Sequence, residues 1–340
     1  MKIHSAAWVT LTIVSVLALP VSSRGDENDA FYRGKTVTIV VGYSPGGGYD
    51  QYARTLARYF GRYLPGNPSV VIQNIPGAAS LLAVRHLDST AAKDGTVVAM
   101  FDPGLITTSL SSPDTSSSAN LSQYNWIGAM LRDVRVCYAA AATGIRNWDD
   151  LMKSKQFLLG STAKGSAASV NAAILIKVFN APVRLVAGYP GSNEQRLAIE
   201  NGELEGNCAS WSALPQDWLA EHKVIALARF SPVRPSDMPE TVPYVGDLAT
   251  SQQQKDLITI LNASSELGRP FITARQVPAA QVKMLRSAFE AVLKDPSFTE
   301  DTNKQSLPLS PVSGEEAEKI VNAIYSAPPE LIARVKDVLD

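Results

Sequence analysis

Val37-Thr38-Ile39-Val40-Val41, followed at once by Gly42-Tyr43-Ser44-Pro45-Gly46-Gly47-Gly48, is the stretch that decides the fold. A β-rich run enters a loop of small residues, and Ala53, Leu56, Ala57, Phe60 and Leu64 then recur at the spacing of one helix face. The same strand, loop and helix pattern returns three times. Val70-Val71-Ile72 leads into Pro76-Gly77-Ala78-Ala79-Ser80 and a helix through Leu87. Phe157-Leu158-Leu159 leads into the loop Gly160 to Ser166 and a helix to Phe179. Val183 to Val186 leads into Gly188-Tyr189-Pro190-Gly191-Ser192 and a helix to about Asn201. Strands alternating with helices at this spacing predict βαβ units and parallel sheets covered on both faces.

Two of these units lie in the first third of the chain and two after residue 150. A polar surface loop, Ser109 to Ser118, and the strand candidates Trp126 to Gly128 and Val134 to Ala139 separate them. A strand at Val224 to Ala228 precedes a proline-punctuated stretch from Ser231 to Pro243. Beyond it the chain reads as helical, with Pro278 ahead of Val282, Leu285, Phe289, Val292 and Leu293, and Pro328-Pro329 ahead of another apolar face. This tail lacks the strands for a third domain and is expected to pack back on the first lobe. The predicted architecture is therefore α/β with two lobes, lobe I from 30–130 and 234–340 and lobe II from 131–233.

Length and composition agree with two domains, since 340 residues at about 150 per domain give that number. With 45% hydrophobic and 19% charged residues, disorder, collagen and coiled coil are excluded. Lys and Arg number 31 against 32 for Asp and Glu, so no electrostatic footprint for nucleic acid or an anionic membrane exists. Three His, two Cys and the absence of H-E-x-x-H or paired C-x-x-C leave no metal or cofactor to expect.

At the N-terminus, Lys2 and His4 precede an apolar run from Ala6 to Leu19, Pro20 breaks it, and Val21-Ser22-Ser23 offers a cleavage site. The run is short for a membrane span, so residues 1–23 read as a signal peptide and the mature chain as exported. Export permits a disulfide. Cys137 and Cys208 both lie in apolar, strand-like stretches, and the expectation is two buried free thiols.

Three motifs tempt and fail. Gly42-Tyr43-Ser44-Pro45-Gly46 matches the hydrolase elbow, but the residue after Ser44 must supply an oxyanion-hole N–H and Pro45 has none. Gly34-Lys35-Thr36 precedes its strand and has Asp29 where a P-loop needs glycine, and Gly46-x-Gly48 has Gln51 where the dinucleotide fingerprint needs its third glycine. What survives is the set of four loops. Parallel strands end at one sheet edge, where ligands bind. Each loop opens a helix whose free N–H groups favour an anion. The glycines would let backbone approach a guest, and Ser44, Ser80, Ser161, Thr162, Ser166 and Ser192 supply hydroxyls or caps.

Val37 to Asp50 resembles the first strand and loop of the Bug-type (TctC-like) extracytoplasmic solute receptors of the tripartite tricarboxylate transporter family. Asn74-Ile75-Pro76-Gly77-Ala78-Ala79-Ser80 is similar to that family's second loop, and Lys93-Asp94-Gly95-Thr96 to its Pro-Asp-Gly-Tyr turn. Gly160 to Ser166, Tyr189-Pro190-Gly191-Ser192 and Gly202-Glu203-Leu204-Glu205-Gly206 resemble its second-lobe stretches. The likeness runs from about residue 31 to the C-terminus.

The resemblance implies a type II periplasmic binding protein fold, with a hinged interdomain cleft that closes on a small organic carboxylate. It also implies periplasmic location, a monomer and delivery to large and small membrane permease subunits, without catalysis. Carried over residue by residue, it nominates Tyr43, Ser44, Gly47, Gly48, Asp50, Pro76, Gly77, Ala78, Ser161, Ser166, Gly191 and Ser192. Asp102, in Phe101-Asp102-Pro103-Gly104, departs from the neutral residue that relatives tend to carry, and facing the ligand it would repel a second carboxylate. Two other readings stand beside the transport receptor: a periplasmic sensing subunit for a signalling kinase, and a secreted serine hydrolase using Ser44.

Overall fold

The computed structural model describes residues 31–110 and 119–340, so the signal-peptide reading and most of the polar loop lie outside the described residues. Eleven strands are described: β1 (Thr36–Val41), β2 (Ser69–Asn74), β3 (Val97–Met100), β4 (Asn125–Leu131), β5 (Arg135–Ala140), β6 (Phe157–Gly160), β7 (Val183–Val186), β8 (Gly206–Ser210), β9 (Val224–Arg229), β10 (Gly268–Thr273) and β11 (Val312–Ser313). They form two sheets, ordered β11-β4-β10-β3-β1-β2 and β7-β6-β8-β5-β9. The chain passes from the first sheet to the second through residues 132–134 and returns after β9 to enter the first sheet again as β10.

The sheets are mixed, where parallel sheets were expected. β1 runs parallel to β2 and β3, and β6 parallel to β7 and β8, as the βαβ pattern requires. β10 is antiparallel to both β3 and β4, and β5 to both β8 and β9. The crossings explain this. A chain arriving from the other lobe enters a sheet at the edge facing that lobe, where the βα strands end, so its first strand runs the opposite way. β10 was missed altogether, because Gly268-Arg269-Pro270-Phe271-Ile272-Thr273 carries Gly and Pro and does not alternate.

The antiparallel register also overturns the expectation of free thiols. Cys137 of β5 lies directly opposite Cys208 of β8, and the two are bonded as a disulfide. Their separation of 71 residues hides a pairing that only strand order reveals. Across directly opposed strand positions Cβ atoms stand about 4.5–5.5 Å apart, close enough for small local adjustment to join two sulfurs.

The helix Gly48–Phe60 buries Tyr52, Ala53, Leu56 and Phe60, the stripe its periodicity marks. The helix Ala279–Leu293 buries Val282, Leu285, Phe289 and Val292 and packs on β4. Phe289 meets Phe271 of β10, and Trp126 of β4 meets Phe101 edge-on at 5.6 Å. In the second lobe Val136, Tyr138, Trp211 and Trp218 form a separate apolar cluster that also takes in Met238 and Val242. Among the described residues no helix is long and apolar enough to cross a membrane.

Candidate ligand-binding cleft

The loops after β1, β3, β6 and β7 meet around one cavity of about 70 Å³ between the lobes. Six residues nominated from the sequence line it: Tyr43, Gly47, Gly48, Asp102, Ser166 and Ser192. Thr162, one of the loop hydroxyls, joins them. By the same measure a water-sized group needs ~10–15 Å³, which leaves room for about five to seven such groups.

Around the cavity the lobes touch. Ser44 N donates to Pro190 O at 3.4 Å, Ser44 Oγ donates to Glu194 Oε2 at 3.0 Å, and Asn193 Nδ2 donates to Pro45 O at 3.1 Å. The glycines serve this contact. A Cβ on Gly47 would stand 2.7 Å from Ser192 Oγ, and one on Gly191 would stand 2.3 Å from Ser44 Oγ. A Cβ on Gly104 would meet the backbone nitrogen of Ala167 at 2.3 Å, where no side chain can swing aside. Ser44 is thus a contact between the lobes, with the Glu194 carboxylate as its partner.

Asp102 occupies the centre of this junction. It is 4% exposed. Its Oδ1 accepts from Gly104 N at 2.8 Å and, across the lobe boundary, from Ala167 N at 2.9 Å. Its Oδ2 accepts from the Tyr43 hydroxyl. The helix-start amide of Ala167, expected to meet an anionic guest, therefore meets the protein's own carboxylate. Burial, followed by the Asp102 charge, pushes the Tyr43 phenol well above its ordinary pKa, so it stays protonated and donates.

Cations line the cavity too, and the sequence reading missed them. Arg135 opens β5 and Arg269 is the second residue of β10. Arg135 lies opposite Ser210 at the end of β8, and Gly268 opposite Leu131 at the end of β4. The start of each reversed strand therefore sits at the edge where its neighbours end, and that edge is the cleft. No window of sequence marks them, since neither the reversal of these strands nor β10 itself shows in local pattern.

The two guanidinium groups differ in how they are held. Arg135 Nε donates to Asn171 Oδ1 at 2.7 Å and its Nη2 to Cys208 O at 2.8 Å, with Asp133 Oδ2 3.5 Å from its Nη1. Arg269 is 1% exposed, lies 3.8 Å from Asp133 Oδ2, and stacks under the rings of Tyr49 and Tyr52 at 4.4 and 5.2 Å. Its Nε and Nη1 are buried without a hydrogen-bond partner, as are Tyr49 Oη, Thr162 Oγ1 and Asn207 Oδ1 around the same cavity. Burial opposes the Arg269 charge, but Tyr49, Asp133 and Tyr52 outweigh it and raise its pKa.

The remaining nominated residues support the cleft without lining it. Asp50 Oδ2 accepts from Gly46 N at 2.8 Å and Arg54 Nε at 2.7 Å, and its Oδ1 accepts from Asn74 Nδ2 at 2.9 Å. Asn74 Nδ2 also donates to Tyr43 O at 2.9 Å, so the pair braces the glycine loop from behind. Ser161 Oγ shares a hydrogen bond of 3.0 Å with Ser166 Oγ, which caps the next helix by accepting from Ser169 N. Pro76, Gly77 and Ala78 do not line the cavity, and Pro76 and Ala78 are exposed. No three or more His, Cys, Asp or Glu gather as metal ligands among the described residues.

No sequence-family model matches the chain, and no curated protein matches its sequence. Solved structures do. The periplasmic binding protein BugD superposes with a TM-score of 0.72 at 20% identity, over 90% of this chain and 98% of its own. The chain has the BugD fold. MatC from Rhodopseudomonas palustris, solved with malate, follows at a TM-score of 0.66 and 18% identity, over 90% of this chain and 99% of its own. The R. palustris protein Rpa4515, solved with adipate, gives 0.68 and 18%, over 89% and 95%. The two-lobed α/β fold expected from the four loops is therefore the fold of BugD.

Proposed function

We propose that this chain is a periplasmic solute receptor that closes its two lobes around a small organic carboxylate and delivers it to a tripartite tricarboxylate-type permease. One observation carries the reading: an interlobe cavity whose wall holds the buried Arg269 guanidinium, with Nε and Nη1 unpaired by any hydrogen bond. A carboxylate pairs with a guanidinium through charge-assisted hydrogen bonds, stronger than neutral ones. The malate and adipate found in MatC and Rpa4515 support the same ligand class. The protein acts as a binder, since Ser44, the one candidate nucleophile, is engaged by Glu194. Tyr43, Gly47, Gly48, Tyr49, Asp102, Thr162, Ser166, Ser192, Asn207 and Arg269 form the binding wall.

Binding works by favouring the closed arrangement, because the guest contacts both walls only when they meet. Calorimetric titration of the purified protein with mono-, di- and tricarboxylates tests this. Saturable heat and a rise in melting temperature with at least one acid are expected, and a silent panel would remove the reading. Delivery requires export with residues 1–23 removed, so mass spectrometry of protein released by osmotic shock should find a mature chain starting near Arg24.

A further inference from the structure

The receptor reading leaves the guest's chemistry open, and the cavity narrows it. We propose that Arg269 anchors the guest's single carboxylate and that Asp102 bars a second one, so the guest is a small monocarboxylate carrying a hydrogen-bond donor, a hydroxyl or an ammonium, at its other end. This rests on the receptor reading and goes beyond it, because it separates the guest from the dianionic acids of MatC and Rpa4515.

The first support is charge. The cavity wall holds Arg269, Arg135 and Asp102, with Asp133 beside the two arginines. Two positive and two negative groups sum to zero before a guest arrives. Arg135 is consumed by Asn171 and the Cys208 carbonyl. Of the two guanidinium groups, only that of Arg269 has nitrogens buried without a hydrogen-bond partner, Nε and Nη1. One anionic group is therefore matched, and a second would face the Asp102 carboxylate in a water-poor site with no cation left for it.

The second support is backbone geometry. Arg269 has φ of +55° inside a strand, between Gly268 and Pro270. A non-glycine residue in the left-handed region costs about 1–3 kcal/mol and persists where its surroundings hold it. Here the register of β10 against β4 passes from Gly268↔Leu131 to Pro270↔Ala129, and the arginine between them reaches the cavity beside Gly48.

The third support is the acceptor at the far side. Asn207 Oδ1 is buried without a donor, while its Nδ2 is spent on Gln195 Oε1. A guest that offers only carboxylate oxygens leaves Asn207 Oδ1 unsatisfied, whereas a hydroxyl or ammonium satisfies it. The volume, room for about five to seven water-sized groups, fits an acid of three or four carbons.

The test is a matched panel titrated into the purified protein: propionate, lactate, alanine and malonate, then butyrate, 4-hydroxybutyrate, 4-aminobutyrate and succinate. The expected result is that a hydroxy- or amino-bearing monoacid binds at least tenfold more tightly than the dicarboxylate and the plain acid of its length. Which of the two binds assigns the donor as alcohol or ammonium. Asp102→Asn keeps an acceptor for Gly104 N and Ala167 N, and should bring the dicarboxylate to within about threefold of the preferred acid.

Arg269→Gln should weaken the preferred acid at least 100-fold, with Arg269→Lys recovering part of the loss. A dicarboxylate binding wild type as tightly as its hydroxy or amino counterpart overturns the proposal while the receptor reading stands. Undiminished affinity in folded Arg269→Gln removes the anchor. Should that variant not fold, the wild-type panel and Asp102→Asn still decide. Wild type that binds no acid in this panel or in the wider one defeats both readings.

Discussion

The first and second βα loops look alike on paper and end in different places. Both follow β-rich runs, both carry Pro-Gly, and both open helices. Loop one, Tyr43 to Gly48, lines the cavity and touches the opposite lobe. Loop two, Ile75 to Ser80, stands off it with Pro76 and Ala78 in solvent. β1 is flanked by β3, whose own loop holds Asp102, whereas β2 is the edge strand of its sheet. An edge position alone does not exclude a loop, since β7 is also an edge strand and its loop brings Ser192 to the cavity. Loop two instead braces the others: Ser80 Oγ donates to Gly42 O and accepts from Asp102 N, both at 3.2 Å.

The sharpest way to break this contrast lies at loop three. Gly104→Ala places a methyl 2.3 Å from the Ala167 nitrogen, a backbone atom that can retreat only if the lobes separate. Disfavouring closure by about 3 kcal/mol lowers the closed fraction, and with it the apparent affinity, roughly 100-fold. The helix it opens tolerates alanine, so the melting temperature of the unliganded protein should change little. Calorimetry for affinity and small-angle scattering for the radius of gyration with and without ligand check both halves. Unchanged affinity would mean that closure does not bring Gly104 against Ala167.

Asp50 tests the link between loops one and two. Burial works against its charge, yet the bonds from Arg54, Gly46 N–H and Asn74 outweigh it and hold its carboxyl below the ordinary range. A lowered folded pKa contributes stability that is full above the unfolded value, near pH 4, and disappears as pH falls through the folded one. Asp50→Asn sets an amide donor against a donor now facing a carboxylate oxygen, costing about 2 kcal/mol. In urea unfolding at pH 7 the variant should show that loss. Between pH 5 and 2 its stability should fall less steeply than wild type's, and parallel pH profiles would show that Asp50 is not the brace.

How much was legible follows the same division. Loops whose strands precede them in sequence could be read, because a β-run, small residues and a helical face occupy one window: Gly47, Gly48, Thr162, Ser166 and Ser192 were found that way, Tyr43 was nominated by the family resemblance, and all of them line the cavity. Asp102 was found because it departs from a family pattern. Arg269 and Arg135 were not, since they reach the cleft from the beginnings of reversed strands, and nothing within a window says that a strand is reversed. The Cys137–Cys208 bond was lost for the same reason. Local pattern identifies which loops could form a site; how the two lobes pack together decides which of them do, and no window of sequence holds that.

Ser80→Ala separates bracing from binding. The substitution strips Gly42 O of a donor and Asp102 N of an acceptor at a fully buried position. Each unsatisfied group costs about 1–3 kcal/mol, eased where a water can enter, so a loss near 2 kcal/mol is expected in denaturant unfolding. The Asp102 carboxylate keeps its three donors, the Tyr43 hydroxyl and the backbone N–H groups of Gly104 and Ala167. Affinity should therefore fall less than tenfold. A collapse of affinity beyond the loss in stability would put loop two in the site after all.

The smallest effect belongs to the exposed tip. Ala78, Ala79 and Ser80 hold φ of +46°, +53° and +73°, three left-handed residues in succession that L side chains disfavour by roughly 1–2 kcal/mol each. Ala78→Gly relieves one of them, while glycine's greater freedom in the unfolded chain offsets about 0.5–1 kcal/mol of that gain. A net change within about 1 kcal/mol, on the stabilising side, is expected from chemical unfolding. Neither Ala78→Gly nor Pro76→Ala removes a cavity wall, so affinity for any bound acid should stay within twofold of wild type. Were either change to cost tenfold in binding with stability preserved, loop two would have to reach the guest, and the contrast between the two loops would fail.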